Sequence, residues 1–219
     1  GADADMQRLA TFITKNKSRL TEIHCTVDSH QVIHVAHPAF WVNSKQQHPN
    51  RFTQISKDDV RNGIWRPYVP SWQARAQEYV DKLAAHGRYQ LMVWPEHCLI
   101  GSWGHGLVPA VSKAFCDWER ETFSRVDFVA KGSNFFTEHY SGVQADVPDD
   151  ADDSTKLNTV LIGMLAAPEV DEILITGEAL SHCVANTIRD IANNFGDDNI
   201  NKFTLLQDTS SNVTGFEKL

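Results

Sequence analysis

Hydrophobic and polar positions alternate between two periods along this chain. Between residues 4 and 19, Met6, Leu9, Ala10, Phe12 and Ile13 recur at helical spacing, which predicts a helix with one apolar face. Residues 21–27 (TEIHCTV) are short and β-rich, as a strand should be. The same reading predicts helices over about 72–86, closed by Gly87, over 108–122, over 155–166 and over 182–195, with Gly196 as its C-cap. Strands are predicted at 90–94 (QLMVW), 125–130 (RVDFVA), 172–176 (EILIT) and 203–207 (FTLLQ). Residues 38–70 carry Pro38, Pro49, Pro67 and Pro70 with several Asn, and read as a long irregular excursion of the kind that serves or covers a site.

Strands rich in Val, Ile and Leu that alternate with helices predict an α/β fold: a three-layer sandwich whose mostly parallel sheet is covered by helices on both faces. No internal repeat or linker divides the chain, so residues 1–219 are expected to form a single domain. Composition narrows the partners. A net charge of −8 and a pI near 5.6 argue against nucleic acid or an anionic membrane, both of which select a basic face. No apolar run approaches the roughly 20 residues of a bilayer span, and no signal-peptide pattern opens the chain. Cys25, Cys98, Cys116 and Cys183 show no close pairing and read as reduced thiols in a cytoplasmic protein.

Sheets of this kind bind ligands outside the carboxyl ends of their strands. Four predicted strand ends carry reactive residues: Asp28-Ser29-His30, Trp94-Pro95-Glu96-His97, Lys131-Gly132 and the run from Gly177 to Cys183. Cys183 lies where a strand turns into a helix, so the helix amides and dipole should lower its thiol pKa and make it a nucleophile. The turn Gly177-Glu178-Ala179 can aim backbone N–H groups at the same point, as an oxyanion hole requires. The other three cysteines read as small buried hydrophobes. Asp28 and His30, two apart in extended backbone, point to one side, and His97 supplies a third ligand from a neighbouring strand end. Two nitrogens and one oxygen suit Zn²⁺, with Fe²⁺ or Mn²⁺ as alternatives, and His34 is a candidate fourth ligand. Lys131 closes an apolar strand, where burial obliges its charge to find a partner.

Taken together, TVDSHQVIH (26–34), WPEHC (94–98), VAKGSNFFTEHYS (129–141) and GEALSHCVANT (177–187) resemble the isochorismatase-like cysteine hydrolases, and within them the nicotinamidases. The resemblance implies an Asp–Lys–Cys triad in which Lys131 and Cys183 are two members. It implies a metal on Asp28, His30 and His97 that holds a substrate ring nitrogen, and a cis peptide at Glu178–Ala179 with the amides of Ala179 and Cys183 forming the oxyanion hole. Trp94 would stack on the ring, Tyr140 would line the pocket, and the protein would be a homo-oligomer acting on a small amide. The triad aspartate of that family lies in a strand before the first helix and has no counterpart here, where the chain opens on the helix; Asp3 and Asp5 lack the strand context. The expectation is a further segment before Gly1 containing a short strand that ends in Asp, and a tail that continues past Leu219. The stretches 40–70 and GSWGHG (101–106) depart from compact nicotinamidases and are expected to shape which amide fits. The function expected is nicotinamide hydrolysis through a Cys183 thioester. The alternatives are a sibling hydrolase acting on another amide or a carbamoyl group, and a catalytically dead binding module.

Overall fold

A computed structural model describes residues 1–87, 89–196 and 199–216. In chain order the elements are α1 (Ala2–Asn16), β1 (His24–Asp28), β2 (Trp41–Val42), β3 (Gln54–Ile55), α2 (Lys57–Arg61), β4 (Arg66–Pro67), α3 (Gln73–His86), β5 (Leu91–Met92), α4 (Pro109–Thr122), β6 (Asp127–Lys131), α5 (Thr159–Leu165), β7 (Ile173–Ile175), α6 (Ala185–Phe195) and β8 (Phe203–Leu205). Each boundary has a local cause. Gly87 closes α3 in the left-handed region at φ +69°, Pro109 opens α4 where its missing N–H costs nothing, and the Asn158 side chain accepts from Leu161 N–H to start α5. That cap is why α5 begins at residue 159 rather than near 155, which lies in a preceding 3₁₀ turn. Gly196 ends α6 at φ +75°, but with extended ψ rather than the left-handed cap expected of it.

Strand β1 pairs in parallel with β6, and β7 with β8, as the α/β pattern predicted. The register sets Cys25 opposite Phe128, Thr26 opposite Val129 and Asp28 opposite Lys131. Side-chain alternation then sorts these pairs onto two faces. Cys25 packs with the α1–α4 cluster of Leu9, Ala10, Ile13, Val111, Ala114, Phe115 and Trp118, and Phe128 meets Phe115. Val129 packs into the cluster built from α5, α6, β7 and β8, so Asp28 and Lys131 share the face that looks toward α6. Helices therefore cover both faces of the parallel strands.

Two expectations are corrected. The QLMVW segment is not a parallel strand: Leu91 and Met92 pair antiparallel with β3, and Val93 N–H continues the contact by donating to Thr53 C=O at 2.9 Å. Residues 38–70 are not structureless. They contribute the antiparallel β2–β4 pair, the capping box of Ser56 and Asp59 at α2, and Phe40, Trp41, Ile55 and Val60 to the core around α3. Among the described residues no helix is long and apolar enough to cross a membrane.

Candidate active site

The site is assembled at the carboxyl ends of β1 and β6. Because Asp28 and Lys131 are register partners, the buried Lys131 ammonium reaches the Asp28 carboxylate directly. It also donates to the carbonyl of His139 at 2.8 Å and lies 3.8 Å from the Cys183 sulfur. Burial opposes the lysine's charge, but the Cys183 sulfur and the Asp28 carboxylate outweigh it and hold its pKa above the ordinary value. Asp28 shows the converse: burial would raise it, yet the Lys131 charge and hydrogen bond keep it below the usual carboxylate range. This ion pair was not part of the sequence reading, which treated Asp28 as a metal ligand alone. Strand pairing was the missing information.

A second alignment brings the histidines in. His30 N–H donates to Cys98 C=O and Ile100 N–H to His30 C=O, a parallel bridge that places the WPEHC segment beside the end of β1. Ligand atoms of Asp28, His30 and His97 consequently lie within 4.8 Å of one another. His30 Nδ1 donates to Gly132 C=O at 3.0 Å and His97 Nδ1 to Pro95 C=O at 2.8 Å, so each Nε2 is left with a free lone pair. Backbone carbonyls fix metal-binding histidines in this tautomer. Burial pushes the His30 pKa down to about 4, which keeps its ring neutral and able to bind. One oxygen and two nitrogens in this arrangement fit a divalent cation. His34 does not join the set. Its Nδ1 accepts from Ala36 N–H at 3.1 Å, so its Nε2 carries the proton and offers no lone pair.

Cys183 sits in a single π-helical turn, Leu180–Val184, which precedes α6. The turn is fastened to the C-terminal segment: Leu180 N–H donates to Ser211 C=O at 2.8 Å, Ser211 N–H to the Glu178 carboxylate at 3.0 Å and Val213 N–H to Ser181 Oγ at 3.1 Å. The Glu178–Ala179 peptide is cis, as the resemblance implied, and the Ala179 amide is aimed at the Cys183 sulfur. The thiol pKa is not lowered, however. Burial pushes it up to about 11, and the nearby Asp28 and Glu138 carboxylates add to burial against the Lys131 ammonium and the Ala179 amide. The expectation of a depressed pKa fails because it counted the helix terminus and not the desolvation of the sulfur.

The aromatic residues converge as well. Trp94 Nε1 donates to the Tyr140 hydroxyl at 2.6 Å, and the His182 ring lies 5.2 Å from Trp94 and 5.4 Å from Tyr140. Phe216 closes on His182 at 4.9 Å, and Phe52, from the 38–70 stretch, meets Trp94 at 5.9 Å. The GSWGHG run touches the site through His105, whose Nε2 lies 2.9 Å from Ser29 Oγ. Asp5 is buried elsewhere, on Ser211 and Arg8, and Asp3 and Asp5 supply no partner to Cys183. Residues 217–219 of the tail lie outside the described residues.

With this geometry in hand, solved structures provide a comparison. A nicotinamidase/pyrazinamidase from Acinetobacter baumannii superposes with a TM-score of 0.58 at 17% identity, over 96% of this chain and 75% of that one. The fold is that of the nicotinamidases. The yeast nicotinamidase superposes equally well, at a TM-score of 0.58 and 18% identity, over 98% of this chain and 79% of its own. No family model matches the sequence, and no curated protein matches it either. The likeness is therefore one of backbone, while the site's chemistry rests on the residues described above.

Proposed function

We propose that the protein is a metal-assisted cysteine amidohydrolase with nicotinamide as its leading substrate. The observation that carries this reading is the Cys183–Lys131–Asp28 chain, which joins a nucleophile to a metal-ligating carboxylate through one buried ammonium. Two structural neighbours of this fold are nicotinamidases, which supports the choice of substrate. Cys183 attacks the carboxamide carbonyl, and the Ala179 and Cys183 amides receive the developing oxyanion. The thiol proton ends on the departing ammonia, and the Lys131 ammonium, 3.8 Å from the sulfur, stabilises the thiolate left behind. Water then cleaves the thioester and returns the thiol. Asp28, His30 and His97 would hold a divalent cation, zinc by the chemistry of the donors; when bound, it supplies a Lewis-acidic position for a ring nitrogen. Trp94 and Tyr140 would flank the ring.

The site also weighs against a dead binding module. A buried lysine beside a thiol costs desolvation that a packing role would not require. Ammonia release from a panel of amides tests the reading: nicotinamide should be turned over, and Cys183→Ala should lower the rate by about a thousandfold or more with the fold retained. Equal rates for the variant and the wild type would rule out covalent catalysis at Cys183, and release from a carbamoyl compound in place of nicotinamide would favour the sibling hydrolase.

A further inference from the structure

Four histidine rings pack together at the metal-ligand group: His30, His34, His37 and His97. His34 and His37 are wholly buried, and the Nε2 of each has no hydrogen-bond partner. A buried polar atom left unpaired is costly, so each of these nitrogens calls for an explanation. The two are not equivalent. His37 Nδ1 lies 3.0 Å from Gln31 C=O and 3.2 Å from Val32 C=O. Carbonyl oxygens only accept, so the proton resides on Nδ1 and Nε2 is a bare lone pair. That is the arrangement of His30 and His97, each with Nδ1 on a backbone carbonyl. His34 has the opposite tautomer, because Ala36 N–H donates to its Nδ1.

We propose that His37 is a further protein ligand, through Nε2, to the divalent cation held by Asp28, His30 and His97. The inference rests on the metal reading of that site. Two imidazoles that share a tetrahedral zinc, each bonded at roughly 2 Å, place their ring centroids about 5 Å apart. The His37 centroid is 5.6 Å from that of His30 and 5.4 Å from that of His97, and the two expected ligands are 4.8 Å apart. His37 is not itself a member of the compact group of Asp28, His30 and His97. Its Nδ1 is shared between two carbonyls, so a small swing of the ring brings Nε2 inward without losing its anchor. The sequence pointed to His34 for this place; the hydrogen bonds assign it to His37.

X-ray absorption at the zinc edge of the zinc-loaded protein counts imidazole ligands directly. Three rings are expected, and two would overturn the assignment of His37 while leaving the Asp28–His30–His97 site standing. Chelator competition provides a second readout that does not depend on activity. His37→Gln, which fills similar volume, should weaken zinc binding by about a hundredfold or more, beyond what loss of an outer-sphere contact gives, while His34→Gln should cost less than about tenfold. Equal losses from the two variants, or His37→Gln within about threefold of wild type, would count against the proposal. A wild-type protein that takes up no zinc at all would instead remove the metal reading on which it rests.

Discussion

Gly132 follows Lys131 at φ +78°, a conformation that strains any side chain. A Cβ there would lie 2.8 Å from His30 Nδ1, in the space the His30 ring occupies. Gly132→Ala is therefore expected to displace His30 and to weaken metal binding by about tenfold or more. Chelator competition reads this, and unchanged affinity would mean that Gly132 does not position the ring. Single residues were the most legible level of the site: Asp28, His30, His97, Lys131 and Cys183 were all apparent as reactive groups at strand ends, and the fold brings them together. Glu138 and His37 were not. A glutamate or histidine in an irregular segment gives no sign that it will be buried, and only the fold shows Glu138 enclosed near Lys131 and His37 against His30 and His97.

Among the elements, β1 and β6 matter most, since their register alone joins Asp28 to Lys131. Local pattern predicts that two strands exist but not which residues face each other, so this ion pair could not be read in advance. The same limit explains β5: its apolar run fits a buried parallel strand equally well, and the antiparallel pairing with β3 depends on a segment 35 or more residues earlier. The amphipathic stripe of α1, by contrast, was legible and packs as expected. Ile13 is buried against the α4 residues that cover β1 and β6. Ile13→Ala should destabilise the protein by about 2–4 kcal/mol. Chemical denaturation measures this, and a loss under about 1 kcal/mol would mean that α1 is not firmly seated on α4.

In the molecule as a whole, buried ionisable groups of opposite sign offset each other. Burial lowers His30 to about 4 and His139 to about 3, so these two favour the folded state less as pH falls below about 6.5. Burial raises Glu138 to about 8 and Asp146 to about 6, and these favour it less as pH rises. For Glu138 the folded pKa lies above the unfolded one, near 4.5. Its contribution is full below about 4.5 and is lost as pH rises through about 8. Glu138→Gln removes the acid and keeps its shape, so in metal-free protein the variant's thermal midpoint should gain on the wild type between pH 5 and 8.5. A constant difference would contradict a buried, ionisable Glu138. The central claim, however, is that Cys183 is acylated by a carboxamide. Protein incubated with nicotinamide, quenched in acid and examined by mass spectrometry tests this most directly. The account predicts a pyridine-carbonyl adduct confined to the peptide containing Cys183, absent from Cys183→Ala; turnover with no adduct on Cys183, or with an adduct elsewhere, would contradict it.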